Sequence, residues 1–283
     1  ERPRRDRQRS GPSGVRPDAR EEPPADAMTP ILDRILTDKR ARLGRGDYAT
    51  TAAGRATATD GTRFLASLRA PGVRVIAEIK HRSPSAGEIL PQADGKIESF
   101  ALAYRRGHAA AISVVTEEDH FGGKPEWLPR AKRVSGLPVL MKDFVISERQ
   151  LDFAVSLGAD AVLLIVRALT CEELAELGEG ARERGLATVV EIHEAGEIEA
   201  AMAALPDVLG VNARDLATFA TDLNALERIA AMIPSGPVRL AESGITNRAD
   251  VARLQAAGYE AFLVGEALLR DEDPEQALRK LKG

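Results

Sequence analysis

The sequence alternates eight times between a short aliphatic or β-branched run and a longer stretch with helical spacing. That alternation confines the chain to folds built on a parallel sheet covered by helices. The runs are RVIAEIK (74–80), AISVVTE (111–117), PVLMKDF (138–144), AVLLIV (161–166), ATVVEIH (187–193), VLGVNA (208–213), VRLAES (238–243) and AFLVGE (261–266). Their starts lie roughly 20 to 37 residues apart, the length of one strand, one crossover helix and two short loops. Intervening segments such as ERQLDFAVSLG and RADVARLQAAG carry apolar residues at helical spacing and end in glycine, the usual helix C-terminal signal. Eight units favour closure into a single (β/α)8 TIM barrel of the α/β class. An open doubly wound sheet is the alternative, but Ile79-Lys80-His81-Arg82-Ser83 follows the first strand where such a fold places GxGxxG.

The barrel and what leads into it are expected to occupy residues 28–283. Residues 1–27 contain one valine and no leucine, isoleucine or aromatic residue, with arginines, acids, prolines and glycines dominating. Such a segment buries too little apolar surface to offset its ordering entropy, so a disordered N-terminal extension is expected. Acids mixed among its arginines weaken a nucleic-acid-binding or targeting role. Met28 marks the expected start of the functional part. Thr29 and Pro30 then supply a helix cap and a first-turn proline for ILDRILTDKRARL, an extra N-terminal helical segment ahead of the barrel.

The 283 residues carry a formal net charge of −4, which argues against bulk binding of nucleic acid or an anionic membrane. No apolar run reaches the roughly 18 residues of a membrane span. The single cysteine, Cys171, excludes an internal disulfide, and with four histidines it leaves no clustered Cys/His metal site. Cys171 reads as an ordinary small residue in a polar helix, and a cytoplasmic location is the expectation.

A barrel of this kind carries its function at the C-terminal ends of its strands. Here those ends are polar: Glu78 and Lys80 on strand one, Lys142 and Asp143 on three, Glu191 and His193 on five, Asn212 and Arg214 on six, Glu242 and Ser243 on seven. Alternation puts Glu78 and Lys80 on one face with Ile76, and Lys142 with Leu140, so the charged groups converge on one mouth. Lysines and carboxylates so clustered control one another's proton affinity, which suits acid and base work at neutral pH. Ser243-Gly244 and Gly265-Glu266 end strands seven and eight, where barrels commonly hold a phosphate, and Lys80 is within reach if strand one closes on strand eight. A sugar phosphate is the ligand expected. Phe121 and Phe144 either pack the rim or face an aromatic ligand, and His193 reads as a solvated rim residue ahead of a catalytic one. The structural alternative is an ion-pair ring that plugs the barrel.

IAEIKHRSPSAG, TEEDHFGG, LPVLMKDF, VEIHEAGE, GVNARDL, LAESGI and FLVGEAL occur in this order, and on them the chain closely resembles the indole-3-glycerol-phosphate synthase family over residues 28–283. The resemblance implies closure of 1-(2-carboxyphenylamino)-1-deoxyribulose 5-phosphate into an indole, with loss of carbon dioxide and water and with neither metal nor cofactor. It implies Lys142 as the general acid of ring closure, Glu191 as a base and Glu78 as the carboxylate that supports developing charge. It implies Lys80 for anion binding or proton transfer, and Asn212, Glu242 and Ser243 for holding hydroxyls and orienting the lysines. Ser83, Arg214, Gly244, Gly265 and Glu266 complete the implied substrate site, and Phe121, Phe144, Leu163 and Leu216 its apolar wall. Glu266 departs from the hydroxyl residue common in the family. Its carboxylate would repel phosphate and is expected to point away. The partner implied is this small anionic substrate, with the protein a monomer or weak homodimer. Three rivals stay open: a phosphosugar isomerase, whose family would put a Cys or Asp pair at these strand ends; a Schiff-base aldolase using a desolvated lysine; and a non-catalytic phosphosugar-binding protein.

Overall fold

A computed structural model describes residues 31–50, 59–215 and 220–283. The expectations for residues 1–27, for Met28 and its cap, and for Leu216 lie outside these. Eight strands close into a barrel: β1 (Arg74–Ile79), β2 (Ala111–Val115), β3 (Val139–Lys142), β4 (Ala161–Ile165), β5 (Ala187–Ile192), β6 (Val208–Asn212), β7 (Val238–Glu242) and β8 (Ala261–Val264). Each expected run supplies one strand, and every pairing around the ring is parallel. β1 closes it by pairing with β8, through Arg74 opposite Ala261, and with β2, through Ile76 opposite Ala111. The open-sheet alternative is thereby removed. Among the described residues no helix is long and apolar enough to cross a membrane.

Two apolar layers follow from the period-2 alternation of the strands. One face of each strand packs outward against helices: Val75, Ala77 and Ile79 of β1 and Ile112 and Val114 of β2 join that outer layer. The other face fills the barrel, with Ile76, Leu140, Leu163, Val189, Val208, Leu240 and Leu263 in one interior cluster. Moving up the inward face toward the strand C-termini, aliphatic residues give way to Glu78, Lys142, Glu191, Asn212 and Glu242. The chain thus spends its lower interior positions on packing and its upper ones on charge.

The crossover helices start and stop on local signals. Ser147 caps α5 (Glu148–Leu157) and Gly158 ends it in the left-handed region. Thr170 and Glu173 form a reciprocal cap on α6 (Cys171–Glu183), as Asn247 and Asp250 do on α9 (Arg248–Ala257). Cys171 is exposed at the start of α6.

Among the described residues two helices precede the barrel. α1 (Ile31–Arg45) is the extra helical segment expected from the sequence. α2 (Gly61–Arg69) is not anticipated by the alternation. Its Phe64 and Leu68 are fully buried and join the interior cluster, while Gly61 N–H donates to the Gly185 carbonyl just before β5. α2 therefore seals the N-terminal end of the barrel, opposite the polar strand ends. Phe64→Ala should lower the unfolding free energy by about 3–5 kcal/mol and leave steady-state kinetics of the folded protein unchanged. Denaturant melts with parallel assays check both.

Candidate active site

A cavity of about 670 Å³ opens at the C-terminal ends of the strands. It is bounded by Glu78, Lys80, Ser83, Phe121, Lys142, Phe144, Leu163, Glu191, Arg214, Glu242, Ser243, Gly244, Gly265 and Glu266, all of which the sequence singled out. Asn212 stands behind this wall, donating from Nδ2 to Glu191 Oε1 at 3.2 Å. The plugged-barrel alternative does not hold, because the charged layer is the floor of an open pocket.

Lys142 is the centre of that floor. Its Nζ lies 2.6 Å from Glu242 Oε2 and 3.3 Å from Glu191 Oε2. Beside it, Lys80 Nζ lies 2.6 Å from Glu78 Oε1. Glu78, Glu191 and Glu242 are almost wholly buried, and both lysine side chains keep 18% of their surface toward the cavity. The carboxylates are thus second to the ammonium groups in access to a ligand. Close approach of backbone makes room for them: a Cβ on Gly265 would fall 2.5 Å from Glu78 Oε1, and one on Gly210 would collide with Glu242 Oε1.

Burial opposes charge on every member of the cluster, and the pairing decides the outcome. For Lys142, Glu242, Glu191 and Glu78 outweigh desolvation and raise its pKa well above the ordinary lysine value. Desolvation pushes Glu78 up, but Lys80 and Lys142 carry it below the usual carboxylate range. Glu191 is likewise lowered against its burial, by Lys142, His193 and Asn212. Burial dominates at Glu242 and, with the Glu191 charge beside it, pushes its pKa up to about 8 despite Lys142. Two carboxyl groups sharing one ammonium therefore keep one proton between them near neutrality.

Apolar surface fills one side. Phe121 and Phe144 stand 6.1 Å apart between ring centroids, tilted by 40°, and Leu163 lies on the same cavity. Across the mouth, Arg214 donates from a guanidinium nitrogen to Ser85 Oγ at 3.0 Å, and its backbone N–H donates to Asn212 Oδ1. Ser83 Oγ accepts the Ala86 N–H within the same serine-rich turn. Ser243 holds a left-handed φ of 67°, an uncommon state for a non-glycine residue and a local strain at the end of β7. Glu266 Oε1 accepts from Arg270 Nε at 2.9 Å, an ion pair on the rim of the cavity.

His193 is a correction. It is no solvated rim residue: its side chain is 3% exposed, with Nε2 3.5 Å from Glu191 Oε1, and neither ring nitrogen has a hydrogen-bond partner among the described residues. Alternation continues one step past β5 and turns the ring to the same side as Glu191. Sequence reasoning also missed Ser85, although the second serine of SPS signals it, and Glu117, a buried carboxylate after β2. The extra N-terminal helix α1 covers the mouth as its resemblance to the family's leading segment implies, bringing Ile31, Leu32 and Ile35 onto the cavity.

A sequence model of indole-3-glycerol phosphate synthase matches residues 32–281. The chain belongs to the indole-3-glycerol phosphate synthase family. It is 41% identical over 260 residues to indole-3-glycerol phosphate synthase 2 of Streptomyces coelicolor, covering 90% of this chain and all of that protein. Against the synthase of a Nocardioides species it is 42% identical over 257 residues, covering 89% of this chain and 98% of the relative. Among solved structures, a 3-hexulose-6-phosphate synthase aligns with a TM-score of 0.58 at 19% identity, covering 74% of this chain and 98% of that one. Orotidine 5'-phosphate decarboxylase from Pyrococcus horikoshii aligns at 0.57 and 13% identity, covering 74% and 99%. These two likenesses concern the barrel fold alone. Membership in the synthase family makes this protein a carboxy-lyase of tryptophan biosynthesis.

The raised Glu242 gives a pH test. Between its ordinary value of 4.5 and about 8, the folded protein holds a proton that the unfolded chain has lost. Stability contributed by this group is therefore lost as pH rises through that window. Glu242→Gln removes the titration, so its melting temperature relative to the parent should climb from about pH 5.5 to about pH 8.5. A difference independent of pH would contradict the assignment.

Proposed function

We propose that this pocket converts 1-(2-carboxyphenylamino)-1-deoxyribulose 5-phosphate into indole-3-glycerol phosphate, carbon dioxide and water, with Lys142 as the general acid of ring closure. The observation that carries the reading is Lys142 itself, an ammonium held between Glu191 and Glu242 on the floor of a cavity with an aromatic side. A lysine whose pKa is raised by its carboxylate neighbours rests as the ammonium, a proton donor and an electrostatic anchor and a poor amine nucleophile. That disfavours the Schiff-base aldolase reading for this residue.

The steps follow from charge balance. The ring carbon bearing the carboxylate attacks the ribulose ketone, and the carbonyl oxygen takes a proton from Lys142 to become a hydroxyl. The new carbon–carbon bond costs the ring its aromaticity. The carboxylate then leaves as carbon dioxide, and its bonding electrons restore the aromatic ring. Loss of the hydroxyl as water takes a second proton, delivered by Lys80, while Glu191 removes the proton from the neighbouring carbon and completes the indole. The substrate in its carboxylate form thus takes up one proton overall to give one indole-glycerol phosphate, one carbon dioxide and one water, with no change of oxidation state that calls for a redox partner.

The other residues divide around those steps. Glu78, kept ionised by Lys80 and Lys142, stabilises positive charge developing on the substrate amine, and Lys80 serves the anionic end or the dehydration. Asn212 holds Glu191 in place, and Glu242 orients Lys142. The phosphate is assigned to the Ser243-Gly244 and Gly265-Glu266 backbone, next to Lys80 across the β1–β8 seam, with Ser83 and Arg214 closing that side. Phe121, Phe144 and Leu163 hold the anthranilate ring over the ketone, the proximity part of the rate. Every group named comes from one chain, so a monomer or a weak dimer suffices, and the small soluble substrate and single cysteine fit the cytoplasm.

The test is conversion of the carboxyphenylamino-deoxyribulose phosphate followed by indole absorbance. Lys142→Ala should cut turnover by about 10²- to 10⁴-fold and leave inorganic phosphate binding largely intact. Near-normal turnover in that variant would sink the assignment.

A further inference from the structure

Outside the catalytic floor, the most deeply buried cation near the cavity is Lys39, in the middle of α1. It is 1% exposed. Its Nζ lies 2.6 Å from Asp143 Oδ1 and 3.4 Å from Glu117 Oε1, and it donates to Tyr48 Oη at 3.1 Å. Neither carboxylate belongs to the catalytic floor, and each organises a different strand end.

Asp143 sits between Lys142 and Phe144. Its Oδ1 accepts the Phe144 N–H at 2.8 Å and its Oδ2 accepts the Thr116 hydroxyl at 2.9 Å, tying the end of β3 to that of β2. Glu117 organises the next loop. Its Oε2 accepts the N–H groups of His120 at 2.8 Å and of Phe121 at 2.9 Å, and Oε1 that of Asp119 at 3.3 Å. The two carboxylates thus fix the backbone beneath the two rings of the aromatic side, and among the described residues Lys39 is the cation that both share.

We propose that Lys39 is a positioning residue for recognition of the substrate's aryl group: by neutralising Asp143 and Glu117 together, it sets the separation of Phe121 and Phe144 and couples that wall to closure of α1 over the cavity. The proposal rests on the reading above that the aryl end of the substrate lies against those rings. α1 brings Ile31, Leu32 and Ile35 to the cavity at the same time, so seating Lys39 and roofing the aryl end are one event. Removing the charge leaves two buried carboxylates without a cation, and such groups either take up protons or move toward water. Either response shifts the loop carrying Phe121 and the peptide of Phe144. The phosphate end, built from the ends of β7 and β8 on the far side of the barrel, has no bond to this network.

A mere tether for α1 would weaken every ligand alike, and a positioning role separates them. The full chain and its Lys39→Met variant are titrated calorimetrically with two probes. One is the substrate reduced at its ketone to the ribitol phosphate, which keeps the aryl ring; the other is inorganic phosphate. The variant should bind the aryl probe about tenfold more weakly and phosphate within about twofold of the parent. With substrate, KM should rise by a similar factor while kcat falls much less. Lys39→Arg, which retains the charge, should recover most of the aryl affinity, and it carries the test if the methionine variant does not fold. Equal weakening of both probes, unchanged aryl binding, or a folded arginine variant as impaired as the methionine one would overturn the proposal. Parent turnover, measured in parallel, reports on the assigned reaction independently of these binding arms.

Discussion

The ammonium of Lys142, desolvated between Glu191 and Glu242, is the interaction on which the upper half of this barrel depends. A buried charge left unpaired is costly enough to be neutralised or expelled. Neighbours decide the charge of each group. Lys80, then Lys142, hold Glu78 ionised against its burial, Lys142 with His193 and Asn212 does the same for Glu191, and burial leaves Glu242 the carboxyl whose pKa is raised. A lysine held as the ammonium thus stands beside a carboxylate held below its usual range, the pairing on which the proposed ring closure and proton removal rely.

Such a cluster exists only because the rest of the fold supplies rigid walls at low cost. Strands give one inward position every second residue, and the lower positions are filled by aliphatic side chains that pack against one another and against α2. Lining up the ends of five strands then delivers charged groups to one plane without long side-chain excursions. Glycines at 210 and 265 provide the space that the carboxylates occupy. Stability is thus concentrated at the N-terminal end and chemistry at the other. Through Lys39, α1 is tied to the ends of β2 and β3.

The legible parts of the sequence were those governed by short-range rules. Periodicity located all eight strands, and alternation correctly turned Glu78 and Lys142 inward, because both signals depend on residues two apart. The pocket, with its charged floor and aromatic side, was readable from the same strand ends. What escaped depended on contacts distant in sequence. α2 plugs the barrel through Phe64 and Leu68, but nothing local distinguishes it from another surface helix. Lys39 looks like an exposed residue of a polar helix until Asp143, more than a hundred residues away, covers it. His193 was misjudged because it closes the expected run and was read as a rim position, whereas the alternation that turns Glu191 inward carries its ring inward too. Glu117 and Ser85 sat inside recognised motifs, yet their roles as backbone anchor and as guanidinium partner emerge only from folded loops.

Lys142 stays protonated across the working pH range because the negative charge shared by the Glu191 and Glu242 pair, with that of Glu78, outweighs its burial. Nitrogen-15 NMR of the lysine Nζ groups, with Lys142→Arg used to assign the signal, tests it most directly. The account predicts no titration of the Lys142 resonance between about pH 6 and about pH 10. A midpoint near neutrality would show that desolvation outweighs the carboxylates, and would recast Lys142 as a neutral amine unable to act as the acid described here.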